Sequence, residues 1–144
     1  MADETGYVDT SILGAYYCPE PLSSAAEDAL RQFKTPVISV LSEVEFCSLI
    51  SKKYRLKELK ERQAKEILDL FSNHLAEGFY RRVSLSTEHF LKARLLAASM
   101  VSALRTLDAL HLAVALAEGL TLVTADREVA RAGKRHKANT LLIK

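Results

Sequence analysis

Two cysteines in 144 residues, Cys18 and Cys47, are too few for a disulfide framework, and no Cys-x-x-Cys or Cys/His spacing suggests zinc. The three prolines and five glycines form no linker or low-complexity tract. No internal repeat is visible. No run approaches the ~20 apolar residues needed to span a bilayer. The first six residues, Met-Ala-Asp-Glu-Thr-Gly, carry acids and lack the basic and apolar regions of a signal peptide. These absences leave a cytoplasmic protein with no membrane segment as the expectation. Residues 1–144 are expected to form one domain, with 1–5 a flexible N-terminal extension.

What is present is ordinary for a globular domain with its own core: 49% hydrophobic and 26% charged residues. Strands and helices alternate. Residues 6–8 read as a first strand ending in Asp9, and a helix over 12–17 follows, with Thr10 and Ser11 able to cap it. Prolines 19 and 21 hold a loop. A helix starts at Ser23 or Ser24 and runs to Phe33. Residues 36–40 read as a second strand, with Pro36 tolerated at its first position. Ser42 and Glu45 have the spacing of a capping box for a helix over 43–54. A long amphipathic helix is expected over 56–76, with Ala64, Ile67, Leu68, Phe71 and Leu75 inward and Gly78 as its stop. Residues 82–85 make a short strand. Thr87 caps a helix with Phe90, Ala93, Ala97 and Met100 or Val101 inward. Cys47 reads as core.

Residues 104–128 are the most informative stretch. Leu107, Leu110, Val114 and Ala117 recur at helical spacing, and Gly119 follows as a helix stop. Residues 120–123 are short, apolar and β-prone, as a buried parallel strand should be. A short helix over 126–132 ends at Gly133, and residues 140–143 form a last strand. This alternation predicts a three-layer α/β/α sandwich with a mainly parallel central sheet.

Open α/β sheets bind ligands beyond the carboxyl ends of their strands. Asp9 ends the first strand, Glu43 and Glu45 follow the second, and Asp126 follows the strand at 120–123. Asp108 opens a helix that can present it at the same edge. Each acid has a structural alternative. Asp9 and Asp126 can cap helices, Glu45 can partner Ser42, and Asp108 can sit in a first helical turn for dipole reasons. Convergence is costly: two carboxylates ~5 Å apart repel by about 3 kcal/mol at an effective dielectric near 20. A divalent cation removes that cost. All-oxygen sites suit Mg²⁺ or Mn²⁺ and can activate water against a phosphodiester. His111, three residues after Asp108, can share its helical face as a general acid but reads rather as a half-buried, hydrogen-bonded structural histidine.

Tyr-Val-Asp-Thr-Ser at 7–11, Val44-Glu45, Leu-Asp-Ala-Leu-His-Leu-Ala at 107–113 and Thr-Ala-Asp at 124–126 resemble the PIN-domain family. In particular they resemble the VapC-type toxin ribonucleases of prokaryotic toxin–antitoxin pairs. The likeness runs from Gly6 onward. It implies a catalytic and metal-holding quartet at Asp9, Glu45, Asp108 and Asp126, with Thr124 a hydroxyl residue beside it. It also implies Mg²⁺- or Mn²⁺-dependent endoribonuclease activity leaving a 5′-phosphate and a 3′-hydroxyl, a homodimer, and a small antitoxin that blocks the cleft. Thr10, Arg105, Arg127 and Glu43 are supporting or substrate-binding candidates. With four acids set aside for metal, 20 basic residues face 14 acidic ones, a balance suited to a polyanion. A PIN-fold RNA-processing nuclease without an antitoxin and a catalytically silent binding module are the alternatives.

Overall fold

A computed structural model describes residues 5–144; the expectation of a flexible N-terminal extension therefore falls mostly outside the described residues. In chain order the elements are β1 (Gly6–Val8), α1 (Thr10–Tyr17), α2 (Ser23–Arg31), β2 (Val37–Ser39), α3 (Val40–Arg55), α4 (Glu61–Ala76), β3 (Arg81–Val83), α5 (Thr87–Ala98), α6 (Thr106–Glu118), β4 (Thr121–Thr124), α7 (Arg127–Arg135) and β5 (Thr140–Leu142).

The five strands form one sheet in the order β3-β2-β1-β4-β5, with every pairing parallel. Successive side chains of a strand point to opposite faces. Val8, Ile38 and Val123 accordingly pack into one core with residues of α1, α2, α3 and α4. Tyr7, Val37 and Leu122 pack into the other core with α5, α6 and Val129 of α7. The expected three-layer α/β/α sandwich is what forms. The strand order reverses between β1 and β4, so the carboxyl ends of these two strands flank the crevice where such sheets bind ligands.

The helices differ from the sequence expectations in ways that bear on the site. Ser39, not Ser42, caps α3. Its hydroxyl accepts from Ser42 N at 3.3 Å, and Ser42 Oγ accepts in return from Ser39 N at 3.2 Å. The strand ends one residue early, and Glu45 is left out of the capping box. Asp9, with Oδ1 accepting from Ser11 N at 3.0 Å, caps α1 in place of Thr10 or Ser11. The long helix expected from residue 56 begins only at Glu61, because the chain turns first at Lys57, which takes φ 62°.

On α5 the buried residues are His89, Ala93 and Leu96, while Phe90, Ala97, Met100 and Val101 are exposed. The cap is Ser86 rather than Thr87, and the helix ends at Ala98, short of the last two. Leu107 and Ala117 are exposed as well, because the buried face of α6 is the continuous run from 109 to 115, enclosed between the sheet and α5. Cys47 is exposed, on the outer side of α3. Gly133 lies inside α7 rather than ending it. A Cβ there would stand 2.4 Å from Thr140 Cγ2, so the glycine lets α7 lie close against β5. No helix among the described residues is long and apolar enough to cross a membrane.

Candidate active site

Asp9 leaves β1 at the sheet's carboxyl edge and is 6% exposed. Its backbone N–H still reaches Val123 O at 3.1 Å, so the sheet fixes its position. Its Oδ1 accepts from Ser11 N and, at 2.5 Å, from Ser11 Oγ. Its Oδ2 accepts from Thr124 Oγ1 at 2.5 Å. Thr124 Oγ1 also accepts from Asp126 N at 3.0 Å, and Ser11 Oγ accepts from Ala125 N at 2.9 Å. The two hydroxyls thus tie the ends of β1 and β4 together around one carboxylate. Burial pushes the Asp9 carboxyl above its ordinary range, and the Ser11 and Thr124 bonds counter part of that rise.

Asp126 caps α7, its Oδ1 accepting from Glu128 N at 2.8 Å. The structural alternatives foreseen for Asp9 and Asp126 are therefore real. They do not compete with a functional role, since a carboxylate aimed at a helix N-terminus is also fixed at the sheet edge. Asp108 lies in the first turn of α6. Burial, then the negative charges of Asp126 and Asp9, push its carboxyl up, while His111 and Arg105 pull it down.

Glu45 reaches the same edge from the second turn of α3. Its Oε1 accepts from Thr10 Oγ1 at 2.8 Å and from His111 Nε2. Burial raises its carboxyl, but the His111 bond and charge together with the Thr10 bond outweigh this and hold it below the usual range. His111 is 3% exposed, and its Nδ1 lies 2.5 Å from the Tyr7 hydroxyl, which is 2.8 Å from Ser39 Oγ.

A cleft of about 400 Å³ is lined by Glu45, Arg105, Thr106, Leu107, Asp108 and Asp126. It joins three of the four expected acids and Arg105, with Asp9 buried beside them and electrostatically coupled to Asp108. Thr10 and Thr124 join the site through Glu45 and Asp9, but two other candidates go elsewhere. Glu43 forms a two-pronged ion pair with Arg82, both bonds 2.7 Å, and does not line the cleft. Arg127 lines a separate groove on α7. Sequence reasoning passed over Tyr7 and assigned Ser11 only to a cap. The single available signal was a tyrosine and a serine flanking the acid at the end of a strand.

Among the described residues no three His, Cys, Asp or Glu side chains stand together as a ready ligand cluster. The donor set nonetheless fits a hard divalent cation. It is all carboxylate oxygen, and the repulsion from Asp126 and Asp9 that adds to burial in raising Asp108 would be relieved by positive charge in the cleft. Asp9, Glu45, Asp108 and Asp126 are the residues that could hold it.

The PIN-domain family model matches residues 6–135. The chain belongs to the PIN-domain family. A comparison with curated proteins gives no match. Among solved structures, VapBC2 from Rickettsia felis bound to a promoter DNA fragment superposes with a TM-score of 0.69 at 19% identity, covering 97% of this chain and 99% of that one. VapC20 from Mycobacterium tuberculosis, described as a sarcin-ricin-loop-cleaving toxin, gives 0.68 at 18% identity, covering 90% and 95%. FitAcB from Neisseria gonorrhoeae gives 0.66 at 15% identity, covering 95% and 96%. At such identities the likeness establishes the PIN fold over nearly the whole chain.

Proposed function

We propose that this PIN domain is a metal-dependent endoribonuclease and the toxin of a toxin–antitoxin pair. The observation that carries the reading is the convergence of Glu45, Asp108 and Asp126 on one cleft, with Asp9 beside it, at the crevice where the strand order reverses. Mg²⁺ or Mn²⁺ would be held there by Asp9, Glu45, Asp108 and Asp126, and when bound would supply charge neutralisation and a nucleophile at neutral pH. The chain's own groups position the site. Ser11 and Thr124 orient Asp9, and Thr10 and His111 orient Glu45. Arg105, at the rim, offers a guanidinium to a phosphate oxygen of the RNA.

The antitoxin part rests on similar solved structures. FitAcB and VapBC2 share the fold, and a toxin–antitoxin complex from Klebsiella pneumoniae superposes with a TM-score of 0.63 at 19% identity. A small partner protein blocking the cleft, a homodimer and a cytoplasmic setting complete the proposal as expectations from the family resemblance. The test is incubation of purified protein with end-labelled total RNA in Mg²⁺, in EDTA, and with Asp108→Asn in place of wild type. Discrete cleavage that requires both metal and Asp108 supports the reading. Intact RNA with folded, metal-loaded, antitoxin-free protein refutes the endonuclease assignment for cellular RNA.

A further inference from the structure

A second groove, of about 360 Å³, lies on α7 and the end of β5. Its lining is Arg127, Ala130, Arg131, Lys134, Leu142 and Lys144, four cations with no acid. It begins one residue after Asp126, whose carboxylate lines the acidic cleft. We propose that this groove is a phosphate track that carries the RNA strand away from the cleft. The proposal rests on the ribonuclease reading above.

Three features separate the groove from an ordinary solvated lysine face. First, Arg127 occupies the first turn of α7, where the helix dipole disfavours a cation. Its placement costs helix stability and calls for another reason. Lys134, in the last turn, has the dipole as sufficient reason on its own. Second, Arg127, Arg131 and Lys134 follow one another at spacings of four and three, so they share one side of α7. At 1.5 Å per residue they extend about 10 Å, the length of roughly three nucleotides at a duplex-like rise of about 3.4 Å. Third, the apolar lining is only Ala130 and Leu142, with no aromatic anchor. A protein partner gains its affinity from buried aromatic and aliphatic anchors, whereas a sugar-phosphate chain needs only positive charge at regular intervals. Arg131 is shared with Glu128 at 3.0 Å, both side chains well exposed, and an exposed pair of that kind is readily exchanged for a phosphate.

The test is the salt dependence of binding. Fluorescein-labelled single-stranded RNA is titrated with the cleavage-blocked Asp9→Asn protein at several salt concentrations. The same titration is made with R127A, R131A and K134A added together, and with the control changes K57A and K60A in the connection between α3 and α4, outside the groove. For single strands each phosphate contact contributes about 0.7 to the slope of log K against log salt. The three groove changes are expected to lower the slope by about 2, and the control changes to leave it where it was. An equal slope in the groove variant overturns the track, as does a loss no greater than that of the control. So does a groove variant that fails only to bind an acidic partner protein. Failure of the ribonuclease reading has a separate sign, absence of metal-dependent RNA cleavage by the wild type. Circular dichroism melts verify that every variant is folded.

Discussion

His111 and Glu45 form one hydrogen-bonded unit beneath the cleft: the imidazole Nε2 meets Glu45 Oε1, and Nδ1 on the far side of the ring meets the Tyr7 hydroxyl at 2.5 Å. Since the Glu45 carboxyl is held low, its oxygen accepts and Nε2 carries the proton. The Tyr7 hydroxyl, which burial pushes up to about 12, stays protonated and shares the second bond with Nδ1. A β1 side chain, an α6 side chain and an α3 side chain are locked in sequence, and the last of them faces the cleft.

This arrangement separates two variants. In His111→Gln the amide nitrogen falls near the place of Nε2, which preserves the bond to Glu45 and leaves the Tyr7 hydroxyl with its serine partner Ser39 but without its α6 partner. In His111→Asn the amide falls near Nδ1, which preserves the Tyr7 side and releases Glu45. Mn²⁺ affinity, read by calorimetry, is expected to stay close to wild type in the Gln variant and to fall about 10- to 100-fold in the Asn variant, the range usual for groups that orient metal ligands. Equal affinity in the two would show that His111 serves packing alone.

Asp9 offers a prediction about stability. Its folded-state pKa is raised above the ordinary 3.8, so the folded protein binds that proton more tightly than the unfolded chain does. Stability of the metal-free protein therefore falls as pH rises from about 3.8 through the raised value. The Asp108 carboxyl acts in the same sense. Glu45 acts oppositely: its depressed pKa contributes stability above the ordinary 4.5 that is lost as pH falls. Asp9→Asn keeps the cap acceptor and removes the buried charge. In EDTA at pH 7 it should raise stability by about 1 kcal/mol, or about 3 °C in Tm, while abolishing cleavage. A drop in Tm at pH 7 would show that the Asp9 charge is stabilising.

Glu43 gives the contrasting case. It has the same residue type as Glu45 and lies two positions earlier, but its carboxylate is committed to Arg82. The Arg82 side chain is about half exposed, so the pair is worth at most about 1 kcal/mol. Glu43→Gln is expected to leave the cleavage rate within about twofold of wild type. A loss comparable to that of Glu45→Gln would place Glu43 in the site.

Gly133 tests the packing of the sheet edge. In Gly133→Ala the new methyl meets Thr140 Cγ2, carried on a stiff β-branched side chain. The expected cost is about 1 kcal/mol net of the better helix propensity of alanine. Adding Thr140→Ser removes the clashing methyl and should restore the loss. Denaturant unfolding of the single and double variants measures both.

The sheet and the acids were legible in the sequence because both follow from local rules. Short apolar runs between amphipathic helices imply parallel strands, and an acid just past each strand falls at the carboxyl edge. What was not legible depends on contacts distant in sequence. Ser39 rather than Ser42 caps α3 because β2 ends a residue early, where Ser39 pairs with Val83 of β3. The burial of His89 rather than Phe90 follows from its bond to Glu118, 29 residues away. The pairing of Glu43 with Arg82 crosses 39 residues, and the Tyr7–His111 bond crosses 104. Helical periodicity registers none of these.

The central claim is that the acidic cleft binds the metal on which RNA cleavage depends. Its most direct test is a Mn²⁺ titration of wild type and Asp108→Asn, with calorimetric binding and single-turnover RNA cleavage read at the same concentrations. The account predicts that wild-type cleavage rises in step with metal occupancy, and that Asp108→Asn loses both together. Cleavage that persists in EDTA, or in Asp108→Asn without measurable metal binding, would contradict it.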